Sequence, residues 1–111
     1  NTSSSFGPTA DVMVVPVFAG ASITYTANVS SSPAMQEGDE VTIINRGANT
    51  GDTVIIAQEG GSPLATFDGG DYGFIVIGFD AVGDGAGPMA YVKRFGSETG
   101  TIAFGAPYPL P

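Results

Sequence analysis

The chain has 111 residues, 11 acidic side chains against 3 basic ones, a formal net charge of −8, and no histidine, cysteine or tryptophan. Imidazole proton transfer, thiol chemistry, disulfides and cysteine-ligated metal are thereby excluded. With only Arg46, Lys93 and Arg94 to neutralise phosphate, the composition argues against nucleic acid and anionic membrane as partners.

One domain is the natural count at this length, long enough to bury a core. No window carries a helical period, and each interior glycine costs a helix about 1 kcal/mol relative to alanine. The chain reads instead as short β-branched runs between Gly, Pro, Asp and Asn, the pattern of strands and turns. Residues 1–10 (NTSSSFGPTA) read as a flexible arm. Its polar, uncharged start shows no signal peptide, and no apolar run approaches the ~20 residues that span a bilayer. Residues 11–18 (DVMVVPVF) are the first strand; Pro16 cannot donate to a ladder, which makes this an edge or bulged strand. Residues 22–29 (SITYTANV) alternate, with Ile23, Tyr25, Ala27 and Val29 on one face and Thr24, Thr26 and Asn28 on the other.

After a loop at 30–33 and a turn at 35–39 come two strong strands, 40–45 (EVTIIN) and 52–58 (DTVIIAQ). The RGANTG between them has the length and residues of a hairpin loop. Residues 59–62 turn the chain, 63–67 (PLATF) return, and Asp68-Gly69-Gly70-Asp71 is a tight turn. Residues 72–79 (YGFIVIGF) are nearly continuous in apolar side chains, as in a strand buried on both faces. A loop at 80–88 precedes a last pair, 89–95 and 99–104, joined by 96–98. The tail at 106–111 (APYPLP) favours polyproline II and stays out of a sheet centre. About eight short strands at roughly 8–12-residue spacing predict an all-β protein. The expected body is a single small β-sandwich over 11–105, jelly roll first and immunoglobulin-like second, with extended arms at 1–10 and 106–111.

Carboxylates are the only abundant reactive groups. Asp68 with Asp71, and Asp80 with Asp84, lie in flexible turns that can offer oxygen ligands to calcium. No calcium-loop pattern is complete, and aspartate caps turn amides by itself, so the turn reading is preferred. A glycosidase-like pair needs a cleft that so short a chain scarcely provides, and a hydroxyl nucleophile would have only Lys93 as its base. No Gly-rich stretch stands between a strand and a helix with a following lysine, as a phosphate cradle requires. No catalytic, cofactor-binding or metal-binding residue is assigned. The aromatics lie mostly in strand runs and read as core, although Tyr25 and Tyr91 on an outer face could stack on a sugar. Asn1-Thr2-Ser3 and Asn28-Val29-Ser30 fit the N-glycosylation pattern, which is short enough to arise by chance in a chain this rich in Ser and Thr. Each of the three cations is expected to meet a carboxylate, within the fold or on a neighbouring subunit, the plain outcome being a surface pair worth at most ~1 kcal/mol.

The stretch QEGDEVTIIN (36–45), followed by a short loop and TVIIA (53–57), resembles a hairpin that recurs in β modules of tailed phages. The overall plan is similar to that of phage head decoration, or cement, proteins: of this length, acidic, free of cysteine, rich in Gly, Ala and Pro, with an extended arm. The resemblance covers the general plan and one hairpin. It implies a virion protein on the capsid surface, a dimer or trimer of its own copies, that clamps neighbouring capsid subunits and needs no catalytic group. On that reading the arm adds a strand to a capsid loop, and the contacts fall to Phe6, Val12, Val14 and Val15 near the arm, to Arg46, and to Tyr108 and Leu110 in the tail. The alternatives are a tail-fibre or receptor-binding β module, and a non-catalytic carbohydrate-binding or adhesin domain.

Overall fold

The computed structural model describes residues 4–6, 12–18, 20–30, 34–60, 63–80 and 89–105. They form nine strands and no helix: β1 (Ser4–Phe6), β2 (Val12–Val14), β3 (Ser22–Ala27), β4 (Glu40–Arg46), β5 (Thr53–Gln58), β6 (Pro63–Asp68), β7 (Tyr72–Asp80), β8 (Met89–Ser97) and β9 (Ala103–Phe104). Two sheets result, one of five strands in the order β1-β3-β5-β6-β9 and one of four in the order β2-β4-β7-β8. They pack face to face as the expected all-β sandwich. Ile23, Val54, Ile56 and Phe67 from the first sheet meet Val41, Ile43, Ile75 and Ile77 from the second in one core.

The first five strands alternate between the sheets. β1, β3 and β5 therefore lie parallel in one sheet, and β2 and β4 lie parallel in the other. The hairpins β5–β6 and β7–β8 stay within a sheet, and β7 and β9 add antiparallel to β4 and β6. The connections β2–β3, β4–β5, β6–β7 and β8–β9 all cross between sheets at the same end of the sandwich, here the crossing end.

This winding corrects two expected hairpins. Residues 40–58 do not fold back on themselves, because both edges of β4 are taken by β2 and β7 and both edges of β5 by β3 and β6. The six residues between them step across the ~10 Å that separates packed sheets. The same holds at the end of the chain: β8 pairs with β7 and β9 with β6, and the rings of Phe95 and Phe104 meet edge-on, 4.7 Å apart.

Individual strands follow the side-chain pattern more closely. β3 buries Ile23, Tyr25 and Ala27 and half-exposes the residues between them, as its alternation predicts. β2 is an edge strand, as Pro16 requires. The Val15 N–H bonds Ile44 O at 2.8 Å, so strand alternation turns the next nitrogen, that of Pro16, away from β4, where a missing N–H costs no ladder bond. β7 is buried from Ile75 to Phe79, but Tyr72 and Phe74 at its start are exposed, which limits the expected two-sided burial to its second half.

The segment read as a free arm contributes β1. Phe6 pairs in register with Ala27 and is 3 % exposed, a member of the core. Replacing Phe6 with alanine is expected to cost about 3–5 kcal/mol in denaturant unfolding. Deletion of residues 1–10 should lower the unfolding midpoint in the same way, and an unchanged midpoint in both would show that β1 contributes nothing to the fold.

Candidate docking face

In β4 the buried residues are Val41, Ile43 and Asn45, so Glu40, Thr42, Ile44 and Arg46 point to the outer face of the four-stranded sheet. Register carries that face across the neighbouring strands. Val12 and Val14 of β2 lie beside Thr42 and Ile44, while Tyr72, Phe74 and Val76 of β7 lie beside Arg46, Ile44 and Thr42. An apolar row, Val14–Ile44–Phe74, thus runs across three strands. Val12 is 59 %, Val14 42 %, Tyr72 60 % and Phe74 39 % exposed. The Phe74 ring continues the row over β8 because its partner there is Gly96, where a Cβ would stand 2.5 Å from the ring.

The outer face of the five-stranded sheet is different in kind. β3 presents Ser22, Thr24 and Thr26, β5 presents Thr53 and the half-buried Ile55, and β6 presents Thr66 and Asp68. A shallow polar recess there is lined by Asp52, Asp68 and three threonines. Hydroxyls and carboxylates keep that side wetted, whereas a contiguous apolar patch of β-branched and aromatic side chains marks an interaction surface.

All three cations of the chain lie on the apolar face. The β7–β8 ladder shifts register between Val76 and Ile77, so that Arg94 pairs with Val76, Val92 with Ile77, and Lys93 is the extra residue of a bulge. The bulge turns both Lys93 and Arg94 outward, and both reach Glu40 on β4: the Lys93 Nζ is hydrogen-bonded to Oε2, and an Arg94 Nη lies 3.5 Å from Oε1. The Lys93 hydrogen bond, with Arg94 beside it, holds the Glu40 carboxyl below its ordinary value. Arg46 stands at the opposite end of β4, exposed and without an ion pair among the described residues.

A polar cluster at the crossing end holds this face in shape. The buried Asn45 amide donates to the carbonyls of Asp71 at 2.7 Å, Asp68 at 3.1 Å and Gly69 at 3.2 Å. Its Oδ1 is buried without a partner. Asn49, also buried, accepts from the Phe18 N–H at 3.0 Å and donates to Pro16 O at 2.9 Å, tying the exit of β2 to the β4–β5 connection. Gly69 packs so closely on that connection that a Cβ would stand 2.5 Å from Asn49 O. Asp71, fully buried, accepts from the hydroxyls of Ser97 and Thr101 and from the Thr99 N–H at 3.0 Å. Burial pushes its carboxyl up, but these hydrogen bonds outweigh burial and hold it below its ordinary value.

Of the residues expected to meet a partner, Val12, Val14 and Arg46 come together on the apolar face. Phe6 and Val15 do not: each is 3 % exposed inside the chain's own core. Tyr108 and Leu110 lie outside the described residues. Tyr25, considered for sugar stacking, is buried, and burial raises its phenol pKa. Tyr91 is half-buried, its ring over Gly78. Asn28, in one glycosylation pattern, is buried, so a glycan would require that site to open; Asn1 lies outside the described residues. Asp68 behaves as a turn residue, its Oδ1 accepting from the Gly70 N–H at 2.8 Å, and the Asp71 N–H closes the turn on Asp68 O at 3.0 Å. Among the described residues no three acidic side chains converge as a metal site would need; Asp84 is outside them.

Sequence reasoning missed Ile44, Tyr72 and Phe74, which it assigned to strands but not to this face. The signal that finds them is register: only after the half-buried Ile44 is set between the exposed Val14 and Phe74 does the apolar row appear. No protein-family model, curated protein or solved structure matches this chain.

The polar cluster yields two expectations. Asn45→Asp is nearly isosteric but turns an acceptor-only carboxylate on three carbonyl oxygens. It should destabilise the fold more than Asn45→Ala, by upwards of about 3 kcal/mol in chemical denaturation. Asp71, depressed in the folded state, stabilises fully above its unfolded value of roughly 4 and loses that contribution as pH falls through the folded value. Asp71→Asn should therefore cost about 1–3 kcal/mol at neutral pH and flatten the acid limb of the melting temperature against pH; an unchanged acid limb would remove Asp71 from this role.

Proposed function

We propose that this chain is a non-catalytic structural protein that docks on other protein subunits through the outer face of its four-stranded sheet. The observation that carries the reading is the apolar row Val14–Ile44–Phe74, exposed at Val14 and Phe74 and half-buried at Ile44, with Val12 and Tyr72 beside it, on the face that also holds every cation of a chain carrying a formal charge of −8. Tyr, Phe and Arg are the residues that dominate protein interfaces, and their clustering on one face of a twisted sheet gives a rigid platform. The resemblance to phage decoration proteins gives the specific form of this role: a virion protein on the capsid surface that bridges neighbouring capsid subunits and, through repetition over the shell, turns weak contacts into avidity.

The clamp follows from the geometry of the face rather than from a free arm. Phe6 is committed to the core, so the strand-adding element available to a partner is β2, an edge strand whose outer edge nothing among the described residues pairs. Apolar burial over the row supplies affinity, and Arg46 fixes orientation by pairing with a carboxylate.

Co-sedimentation with capsid particles lacking the protein, from the phage that carries its gene, tests this. Wild-type protein should pellet with the particles. Val14→Asp and Phe74→Asp should each weaken binding by about tenfold or more, with unchanged melting because both positions are exposed. Absence of wild-type co-sedimentation, or saturable binding to a glycan array in its place, would overturn the capsid role.

A further inference from the structure

We propose that an apolar recess beside β9 is the seat of the chain's own C-terminal tail, residues 106–111, and that Tyr108 fills it. The site lies at the edge of the five-stranded sheet, apart from the docking face of the other sheet.

The recess, of about 280 Å³, is lined by Pro63, Ala65 and Thr66 of β6, by Ala103 and Phe104 of β9, and by Gly105 just past it. A single threonine supplies its only side-chain hydroxyl, and no charged side chain lines it. It falls at the small end of the ~300–1,000 Å³ of ligand pockets, a size that suits one or two residues of an extended peptide. β9 is the last strand of its sheet, and no described strand pairs with its outer side. A bare sheet edge is a liability that proteins cover with a loop or blunt with proline.

The path of the chain names the cover. The Gly105 N–H donates to Leu64 O at 3.0 Å, and Gly105 lies so close to β6 that a Cβ there would stand 2.1 Å from Pro63 O. The backbone is thus pinned in the wall of the recess at the residue before the tail begins. Three residues extend at most about 10 Å, so Tyr108 stays within that distance of Gly105, while Leu110 reaches beyond it.

The tail has the matching chemistry. APYPLP carries no charge, and Pro107, Pro109 and Pro111 bring no N–H that an apolar recess would leave unsatisfied. Such a sequence favours polyproline II, whose low ordering cost lets proline-rich segments dock on aromatic-lined grooves. The exposed Pro63 and the half-buried Phe104, its ring braced edge-on by Phe95 at 4.7 Å, supply that lining. The recess around Asp52 and Asp68 on the same sheet is polar and has no such surface for an uncharged tail. Attachment at Gly105 provides an effective concentration on the order of millimolar, so a weak contact is enough. Seated there, the prolines close the β9 edge to strand addition by another chain, because they cannot extend a ladder.

Nuclear magnetic resonance on the 111-residue chain tests the assignment, at concentrations from about 0.05 to 1 mM, where weak association shows itself. The Tyr108 ring should give cross-relaxation to Pro63, Ala103 and Phe104, unchanged by dilution. Y108S should lose it and shift the amide resonances of Ala65, Thr66, Ala103, Phe104 and Gly105, leaving Ile23 and Val41 in the core unmoved. A103D places a charge in the recess at an exposed position and should give Tyr108 the chemical shifts of the free peptide APYPLP. Circular dichroism and melting check that both variants fold. Wild-type Tyr108 at free-peptide shifts, contacts to any other surface, or recess amides unmoved in Y108S would each overturn the proposal. Contacts that vanish on dilution would assign the seat to the tail of a second copy and overturn the intramolecular assignment.

Discussion

The Asn45 amide, buried on the inner side of β4, donates to three carbonyl oxygens in the turn that carries the chain from β6 to β7. Two of these carbonyls have a second donor, Asp68 O from the Asp71 N–H and Gly69 O from the Asn49 N–H, while Asp71 O has the amide as its partner. An unpaired carbonyl in the interior costs about as much as a lost hydrogen bond, and the amide removes that cost at Asp71. Asp71 acts on the same turn from the other side by accepting from the segment that carries the chain from β8 toward β9. Asn49 ties in the exit of β2. The four crossings at this end, β2–β3, β4–β5, β6–β7 and β8–β9, thus share one polar cluster.

The strand arrangement produces the asymmetry on which the proposed docking rests. In the sandwich each sheet has one inner and one outer face, and the two outer faces are chemically unlike. Hydroxyls and carboxylates predominate on the five-stranded sheet, around Ile55. β-branched and aromatic side chains cover the four-stranded one, with Arg46 and the Lys93–Arg94–Glu40 group at its ends. A rigid sheet with one apolar, cation-bearing face has much to offer as a binding surface.

Much of the local structure was legible along the chain. The alternation in SITYTANV sets the buried face of β3 because a period of two needs only the residues themselves. Pro16 marked an edge because its missing N–H is intrinsic. The Asp-Gly-Gly-Asp turn was legible because aspartate caps its own turn amides. The sheet-crossing connections were not. RGANTG carries the same turn residues whether the chain folds back beside itself or steps to the facing sheet, and local turn chemistry does not distinguish the two. β1 was hidden for a different reason: Ser-Ser-Phe has no periodicity to detect, and Phe6 joins the core through the parallel pairing of β1 with β3.

Composition and periodicity by themselves determined that the protein is an all-β sandwich with a strongly acidic balance and few groups for chemistry, since both follow from residue types and nearest-neighbour spacing. Tertiary structure alone decided which strands are neighbours, and through that which side chains share a surface. Val14, Ile44 and Phe74 lie about thirty positions apart in the chain, yet sheet register sets them in one row. The bulge at Lys93 likewise turns two successive side chains to the same side, against the alternation that a strand otherwise imposes. A binding face is a property of register, and register is set by which edges are free once every core residue has found its partner.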